Sequence, residues 1–559
     1  MLISTVHLWA TVPSIIDSQS VVVDLRTRLD KLFTSKSYRN SVVGAKVVSL
    51  RTGTILYERN SDRPLTPAST TKLFSTATLY ALRGPRAELL TDVRADGKID
   101  KAGVLNGNLY VVGCGDALLS TTDIDLLADQ LQQRGISKVT GSIYGDASRF
   151  DDVVNRAVYS GDNEDVEPLP PITALSLQRG GVSVVVSATK SGLVNIQALP
   201  PSDGIEIIND VRVVSRRGKS KPAKKKTLSA SKKSKSKPST KNTKNSKGKG
   251  RADVFSPADH EYTDRVGDAP KRRRERTKRG KRSVRSVARI SARSTSLAGG
   301  IQRITVSGAI SPGTSSTSYV SFVNPAVATA GVLKHRLRTR GITIQGSVSE
   351  KPHPAASVSL AGIRRPLVDL ASIVNKKSDN YLAEHVFKMC GAVSAASPSS
   401  AKASVQCVNR VLDSLNIPRV GCVINDGSGL SRRNLISAAT QVALLQKVSS
   451  QPWSEEFKST LAIAGVDGTI RKRFAGTIAS NKVYAKTGTL RNVSALSGYV
   501  STADGEPLVF SFISNGDNVS SYKSIEEQAA IILASFSWKG IPAIDLHTMP
   551  SISDEDSTE

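Results

Sequence analysis

The sequence predicts an α+β protein whose helical and strand-rich stretches are grouped along the chain. The first observation is the length of 559 residues, which exceeds one typical domain and predicts about two to four. The second is a succession of short β-rich runs between residues 90 and 199, interrupted by one helical run. The third is a C-terminal part in which strand-like segments and turns precede a final helix. We therefore expect more than one sheet.

The residues before position 90 predict a helix, a pair of strands and a second helix. Residues 21–33 repeat apolar side chains at helical spacing. Residues 42–50 and 55–58 are typical of strands, and the turn between them predicts a hairpin. A second helical run begins close to Ser69 and ends near Gly84.

After residue 324 the pattern predicts helices first and an antiparallel sheet last. The sheet is expected because only short turns separate its strands, and the final helix is placed to cover it. The predicted helices are 327–338, 367–374, 381–389, 404–415, 437–449 and 525–536, and the predicted strands are 342–348, 482–489, 494–502 and 508–514.

A basic, low-complexity segment covers residues 215–296. It has too few apolar side chains to offset the entropy of ordering, so we expect it to be disordered. Residues 216–293 contain 29 Lys and Arg against 6 Asp and Glu, whereas the rest of the chain has 48 against 42. The overall charge of +29 therefore comes mostly from this segment.

The charge alone suggests a partner that is anionic. Nucleic acid is disfavoured because Phe255 and Tyr262 are the only aromatic residues of the segment, which leaves little for base stacking. A solvated linker is the simplest interpretation, and contact with an anionic wall polymer or a membrane surface is the alternative.

The four cysteines, Cys114, Cys390, Cys407 and Cys422, form no C-x-x-C pair, so metal-ligand spacing is absent and no cofactor is expected. We expect free thiols, with a disulfide among the last three left open. No apolar run reaches the ~18 residues of a membrane span. No Lys or Arg precedes Arg26, so we expect only a poor or truncated N-terminal export signal.

The stretch around Ser69 contains the first motif with chemical content, Ser69-x-x-Lys72. On a helix, residues three apart share one face, so the hydroxyl of Ser69 and the amine of Lys72 can meet. A serine needs a base to become a nucleophile, and a lysine is such a base when its pKa is lowered. Alone the pattern is weak, because Ser229, Ser234 and Ser246 open it too.

Two further motifs supply the rest of an acyl-transfer site. In Ser378-Asp379-Asn380, Ser378 can shuttle a proton to a leaving amine and Asn380 can hold a substrate amide. In Lys486-Thr487-Gly488, Lys486 offers a cation for a substrate carboxylate.

The residues after Lys486 are predicted to bind the substrate backbone. Thr487 and Gly488 lie on a strand, and the absence of a side chain at Gly488 lets a peptide approach an edge. The N–H groups of Thr489 and Ser69 are candidates for an oxyanion hole.

Together the three motifs resemble those of penicillin-binding proteins and class A β-lactamases. The flanking sequences narrow the resemblance to the D-alanyl-D-alanine carboxypeptidase/endopeptidase family, the low-molecular-mass penicillin-binding proteins with inserted domains. These flanks are residues 67–69, 426–431, 465–469 and 497–499. The resemblance covers most of the chain except the basic segment and the two ends.

The resemblance implies a β-lactamase-like transpeptidase domain split by inserted β-rich domains. The expected parts are residues 21–90 and 324–541 for the split domain, 91–323 for the insertion, and 542–559 for a mobile acidic tail. It also implies an acyl-enzyme on Ser69, hydrolysis of peptidoglycan stem peptides ending in D-Ala-D-Ala, inhibition by penicillin, and a periplasmic or cell-envelope location.

The resemblance further suggests that residues 145–151 bind the side chain of the third stem residue, with Asp146 as the acidic group for a cationic end. The alternative for Asp146 is a turn residue bonded to its own backbone.

Two other functions are weaker. A β-lactamase would need a deacylating glutamate, and Glu167 lacks the expected context. A binding protein would act through the basic segment. His385, on the helix after the second motif, is interpreted as a core or surface residue, and no G-x-S-x-G supports a Ser-His-Asp triad.

Overall fold

The computed structural model describes residues 18–162, 168–214, 288–392 and 398–539. The N-terminal stretch, Glu167, most of the basic segment and the acidic tail lie outside the described residues. The helices are α1 (Ser18–Phe33), α2 (Lys72–Arg83), α3 (Thr121–Gln133), α4 (Arg156–Ser160), α5 (Pro325–Thr339), α6 (Leu367–Lys376), α7 (Asn380–Gly391), α8 (Ala401–Ser414), α9 (Ala438–Ser449), α10 (Ser454–Ser459) and α11 (Val519–Ser535).

The strands in the described ranges form five sheets. They are β1 (Val42–Ser49), β2 (Ile55–Arg59), β3 (Glu88–Ala95), β4 (Lys98–Ile99), β5 (Val104–Asn106), β6 (Leu109–Val112), β7 (Lys138–Val139), β8 (Ile143–Asp146), β9 (Gly181–Ala188), β10 (Val194–Leu199), β11 (Ile205–Val213), β12 (Ala288–Ser296), β13 (Gln302–Ile310), β14 (Ser315–Ser321), β15 (Thr343–Ile344), β16 (Val348–Glu350), β17 (Val358–Pro366), β18 (Ala462–Ile463), β19 (Val483–Leu490), β20 (Val493–Ser501) and β21 (Pro507–Asn515).

The largest sheet joins the two ends of the described chain. Its order is β18-β19-β20-β21-β1-β2, and every neighbouring pair is antiparallel. Because side chains alternate along a strand, β21 turns Leu508 and Phe510 to a core with α1 and α11, and Val509 to the core on the other face. The sheet is thus covered by helices on both faces, as the α+β prediction requires.

The helix α2 lies in the interior of the helical layer beside this sheet. Leu73, Phe74 and Tyr80 are buried, and α2 packs against α7 and α8. A helix that is buried around its whole circumference can only be a central element of a core. It ends at Gly84, whose φ of 75° is accessible to glycine at little cost.

The inserted region contains the other four sheets. Strand β17, after residue 324, pairs with β3, and β16 pairs with β8. If the inserted region is defined by the strands that share its sheets, it extends from about β3 to Pro366. The sequence had predicted an end at residue 323. The strand expected at 342–348 is two short strands, β15 and β16, in different sheets.

Strand β12 corrects the predicted extent of the disordered segment. We expected no structure up to residue 296, yet residues 288–296 form a strand paired with β13 along its whole length. Ile290 and Ala292 are half-buried while Arg289 and Arg293 are exposed. This alternation is the period of a strand, and composition averaged over the segment conceals it.

The predictions about the cysteines and about membrane spans can be compared with the described residues. All four cysteines are free thiols. In the described part of the chain, no helix has the length and apolar character needed to cross a membrane.

We predict that residues 215–287 can be replaced by a linker of about six residues without loss of fold. Val213 of β11 and Ala288 of β12 both pair with Ile310, from opposite sides of β13. Their ends are thus about two strand spacings, ~10 Å, apart, which six residues can span. Thermal unfolding should shift by less than about 3 °C.

The matched control is a deletion of residues 215–294, which removes most of β12 as well. It should destabilise the protein, because β13 would lose its antiparallel neighbour. A large fall in melting temperature for the shorter deletion would contradict the prediction.

Candidate active site

Ser69 lies on a 3₁₀ turn, Ala68–Thr71, immediately before α2. The turn is held by the Thr70 and Thr71 hydroxyls, which donate to the carbonyls of Pro67 at 2.9 Å and Ala68 at 2.8 Å. Ala68 has a φ of 49°, which is strained for a residue with a Cβ. The Ser69 side chain is half-buried, so its hydroxyl is held in place and still reachable.

Lys72 follows on the first turn of α2 and is fully buried. Its Nζ donates to Ser69 Oγ at 2.7 Å, to Asn380 Oδ1 at 2.8 Å and to the Ser428 carbonyl at 2.5 Å. Burial lowers the pKa of Lys72 to about 8, against the opposing effect of nearby carboxylates. A lysine with this pKa is partly neutral near neutral pH and can accept a proton.

The second motif lies between α6 and α7. Ser378 has a φ of 61°, and Asp379 caps α7 by accepting from Leu382 N at 2.9 Å. The cap fixes the first residue of α7, Asn380, beside Lys72. The tight backbone here thus directs Ser378 and Asn380 toward the same space.

Lys486 comes from β19 and is fully buried. Its Nζ donates to Ser378 Oγ at 2.7 Å and to the Thr487 carbonyl at 2.8 Å. Burial, and secondly the positive charge of Lys72, lowers the pKa of Lys486 well below its usual value. The two serine–lysine pairs therefore lie in one site.

The strand β19 lies directly against the turn that bears Ser69. A Cβ added at Gly488 would lie 2.7 Å from the Pro67 carbonyl oxygen and 3.2 Å from the Ala68 Cβ. Strand β18 pairs only with Tyr484 and Ala485, so within the described ranges the β19 edge has no strand neighbour from Lys486 onward. Thr489, on this part of the strand, is exposed.

The loop 425–431 completes the site with a group that the motifs did not reveal. The Ser428 carbonyl accepts from Lys72 and, at 3.4 Å, from Ser69 Oγ. Gly429 has a φ of 79°, and a Cβ there would lie 2.0 Å from the Ala68 carbonyl oxygen. The dense Gly/Ser turn was the only sequence signal, because a backbone carbonyl has no residue type of its own.

A second group that sequence reasoning missed is Arg179, from the inserted region. Its guanidinium pairs with Asp379 and lies 6.0 Å from the centre of the Tyr381 ring. Gln178, Arg179 and Gly180 have φ values of 51°, 58° and 81°, a rare left-handed run. The Tyr319 hydroxyl holds this turn by donating to the Arg179 carbonyl at 3.0 Å.

Asp146 is not brought to this cluster by any contact in the described ranges. It is buried, and its carboxylate accepts from Ser148 N at 2.9 Å, Ser148 Oγ at 2.6 Å and His353 N at 2.8 Å. The His353 ring nitrogen Nδ1 lies 2.5 Å away. Binding of a substrate amine by Asp146 stays a prediction, and these contacts favour its alternative as a turn residue.

His385 lies in the core. Its Nδ1 is 2.9 Å from the Tyr381 carbonyl, and burial lowers its pKa to about 4. A neutral, enclosed imidazole agrees with its interpretation as a core residue.

The fold and this geometry define a serine acyl-transfer enzyme. A half-buried serine is hydrogen-bonded to one buried lysine, and a second serine is hydrogen-bonded to another. The second lysine lies on β19, which in the described part of the chain has no strand neighbour on its outer side from this residue onward. These are the parts needed for a nucleophile, a base, a proton shuttle and a peptide platform.

The sequence pattern of the D-Ala-D-Ala carboxypeptidase 3 (S13) family matches residues 25–237 and 269–536, and the chain belongs to this family. It is a serine-type D-Ala-D-Ala carboxypeptidase/endopeptidase, which confirms the resemblance seen in the three motifs. The unmatched residues 238–268 lie within the basic segment.

Several known proteins are similar to this chain, each over a different share of its length. The D-alanyl-D-alanine carboxypeptidase of Actinomadura sp. (strain R39) is 27% identical over 541 residues, which cover 95% of this chain and 88% of that protein. The D-alanyl-D-alanine carboxypeptidase DacB of Haemophilus influenzae is 32% identical over 36% of this chain and 43% of that protein. Penicillin-binding protein 4 (dacB) of Haemophilus influenzae, solved in complex with a β-lactam, has the same fold, with a TM-score of 0.59, 22% identity, and coverage of 91% of this chain and 97% of that one.

We predict that Arg179→Ala lowers the rate of acylation by penicillin roughly two- to fivefold. The Arg179 and Asp379 side chains are 47% and 15% exposed, so their pair is worth about 0.5–1 kcal/mol. Arg179→Lys should recover part of the rate. Stopped-flow acylation kinetics, with thermal unfolding alongside, provide the measurement.

Arg303→Ala is the matched control, because it removes the Arg303–Glu206 ion pair of the inserted region, at strands β11 and β13. It should leave acylation unchanged. Equal effects of the two variants would mean that Arg179 does not act on the second motif.

Proposed function

We propose that this enzyme removes the terminal D-Ala of peptidoglycan stem peptides through an acyl-enzyme on Ser69, with Lys72 as the base. The observation that carries the proposal is the 2.7 Å contact between Lys72 Nζ and Ser69 Oγ, in a site where burial lowers the pKa of the lysine. An endopeptidase reaction on cross-links uses the same atoms.

Acylation begins when neutral Lys72 takes the proton of Ser69 Oγ. The serine oxygen then attacks the carbonyl carbon of the penultimate residue and forms an oxyanion. As the amide C–N bond breaks, the proton that Lys72 took from Ser69 passes through the hydroxyl of Ser378, which is hydrogen-bonded to Lys486, to the leaving amine of D-Ala. Lys72 is then neutral again. Water then attacks the ester while neutral Lys72 takes a proton from it. The ester C–O bond breaks, and Lys72 returns the proton to Ser69 Oγ.

Binding of the substrate uses the surface between α7 and β19. Lys486 and Thr487 receive the terminal carboxylate, and its negative charge restores the cationic form of Lys486. The peptide adds to the free edge of β19 beside Gly488. The N–H groups of Ser69 and Thr489 stabilise the oxyanion. Asn380 accepts from Lys72 through Oδ1, which leaves its amide hydrogens for a substrate carbonyl.

β-Lactams would enter as substrate mimics, and their ring carbonyl would acylate the same serine. The substrate is a wall peptide, so the enzyme would work in the cell envelope. Contact of the basic segment with an anionic wall polymer would add to this localisation through charge attraction.

We predict that penicillin forms a covalent adduct on Ser69. Intact-mass measurement should show one added penicilloyl group, and digestion should locate it on the peptide that contains Ser69. Ser69→Ala should abolish it, because the hydroxyl that Lys72 activates is then absent. The control Ser229→Ala, which alters another Ser-x-x-Lys match, should leave labelling intact. An adduct on another residue would refute the assignment.

We predict that the acylation rate rises with pH up to about 8 and then levels off. Lys72 must be neutral to accept the serine proton, and its pKa is about 8, so each pH unit below that value should cost about tenfold in rate. Lys72→Arg should be acylated orders of magnitude more slowly, because arginine cannot be deprotonated. Near-normal acylation of this variant would exclude Lys72 as the base.

A further inference from the structure

Two buried carboxylates lie behind the loop 425–431. Asp426 and Glu384 are both fully buried. Asp426 has a cationic partner, since its Oδ2 lies 3.0 Å from Arg156 Nη1. For Glu384 no ion pair occurs among the described residues, and its oxygens instead accept hydrogen bonds from neutral groups. A buried carboxylate without a cation is costly, so its retention calls for a function.

Glu384 is connected to Lys72 through the backbone of Ser428. Its Oε1 accepts from Ser428 N at 2.8 Å, and its Oε2 accepts from Gly427 N at 3.1 Å and from the Tyr159 hydroxyl at 2.8 Å. The carbonyl of the same Ser428 accepts from Lys72 Nζ at 2.5 Å. One residue of backbone thus joins an acidic group on α7 to the ammonium group on α2.

We propose that Glu384 is a positioning residue for Lys72: it fixes the Ser428 backbone that holds the ammonium group and supplies the buried negative charge that balances it. The inference rests on the proposed role of Lys72 as the base. It extends that role to a residue outside the three motifs.

The charges around Glu384 come from four elements. Tyr159 donates to it from α4, Asp426 acts on it from the loop, and the charge of Glu384 acts on Lys72 of α2; on α7 itself, Lys388 lies over the Tyr159 ring at 5.1 Å and pairs with Asp151. Arg156 already forms an ion pair with Asp426, and Lys388 forms one with Asp151. Lys72 is therefore the cation that the negative charge of Glu384 can stabilise.

The two groups influence each other's proton affinity in a defined direction. Burial, and secondly the charge of Asp426, raises the pKa of Glu384. Burial lowers the pKa of Lys72, whereas the charge of Asp426 and next that of Glu384 raise it. During acylation Lys72 becomes an ammonium ion inside the protein. The carboxylate of Glu384 then stabilises the transition state by charge that is already in place.

The test is the pH profile of penicillin acylation for Glu384→Gln. Loss of the negative charge lowers the pKa of Lys72, so the acid limb should move to lower pH by about one unit. The plateau rate should fall about tenfold, because the new ammonium ion loses its counter-charge. A purely structural role would lower the rate at every pH without moving the midpoint.

Glu526→Gln is the matched control. Glu526, on α11, is also fully buried, and burial raises its pKa. Its Oε2 lies 3.7 Å from Arg473 Nη2. This variant should keep the wild-type midpoint. If Glu384→Gln does not fold, Tyr159→Phe removes only one donor from Glu384 and should give a smaller shift in the same direction.

The outcomes distinguish the proposal that Lys72 is the base from the proposal that Glu384 positions it. A wild-type profile without an acid limb near pH 8 would overturn Lys72 as the base. A wild-type limb whose midpoint stays unchanged in Glu384→Gln, or in Tyr159→Phe when the first variant is unfolded, would overturn the role of Glu384 alone.

Discussion

The burial of one ammonium group, that of Lys72, sets the conditions for the rest of the structure. Removing an ammonium ion from water costs several kcal/mol unless good acceptors surround it. Here the acceptors are a hydroxyl, an amide oxygen and a backbone carbonyl, from Ser69, Asn380 and Ser428. Because these groups belong to three distant parts of the chain, the fold must bring α2, α7 and the loop 425–431 together before Lys72 can be accommodated.

The inserted region belongs to this arrangement and is not a separable appendage. Its short helix α4 supplies Arg156 to Asp426 and Tyr159 to Glu384, and its left-handed turn supplies Arg179 to Asp379. Asp426 and Glu384 are fully buried, so loss of these contacts would remove the cation that pairs with Asp426 and one of the donors to Glu384. These contacts join the inserted region to the loop 425–431, to α7 and to the second motif.

The class of fold and the grouping of the three motifs could be predicted from the sequence, because both depend on local patterns. Ser69 and Lys72 are three residues apart, and the strands after residue 482 alternate at the period of a sheet, so both features are local. The Ser428 carbonyl could not be predicted, because every residue has one and only tertiary structure selects it. The partners of Arg179 and Glu384 lie 200 and 225 positions away, and the pairing of β17 with β3 is equally remote.

The proposed binding of substrate to the edge of β19 would limit which peptides the enzyme can cleave. A strand edge offers hydrogen bonds in one plane and at one repeat, so it accepts only a chain that is already extended or can become so. A folded protein domain has its backbone groups engaged and cannot supply such a chain. Short, flexible peptides of a polymer network meet this requirement without unfolding, so the proposed binding at the β19 edge would favour them as substrates over the cell's folded proteins.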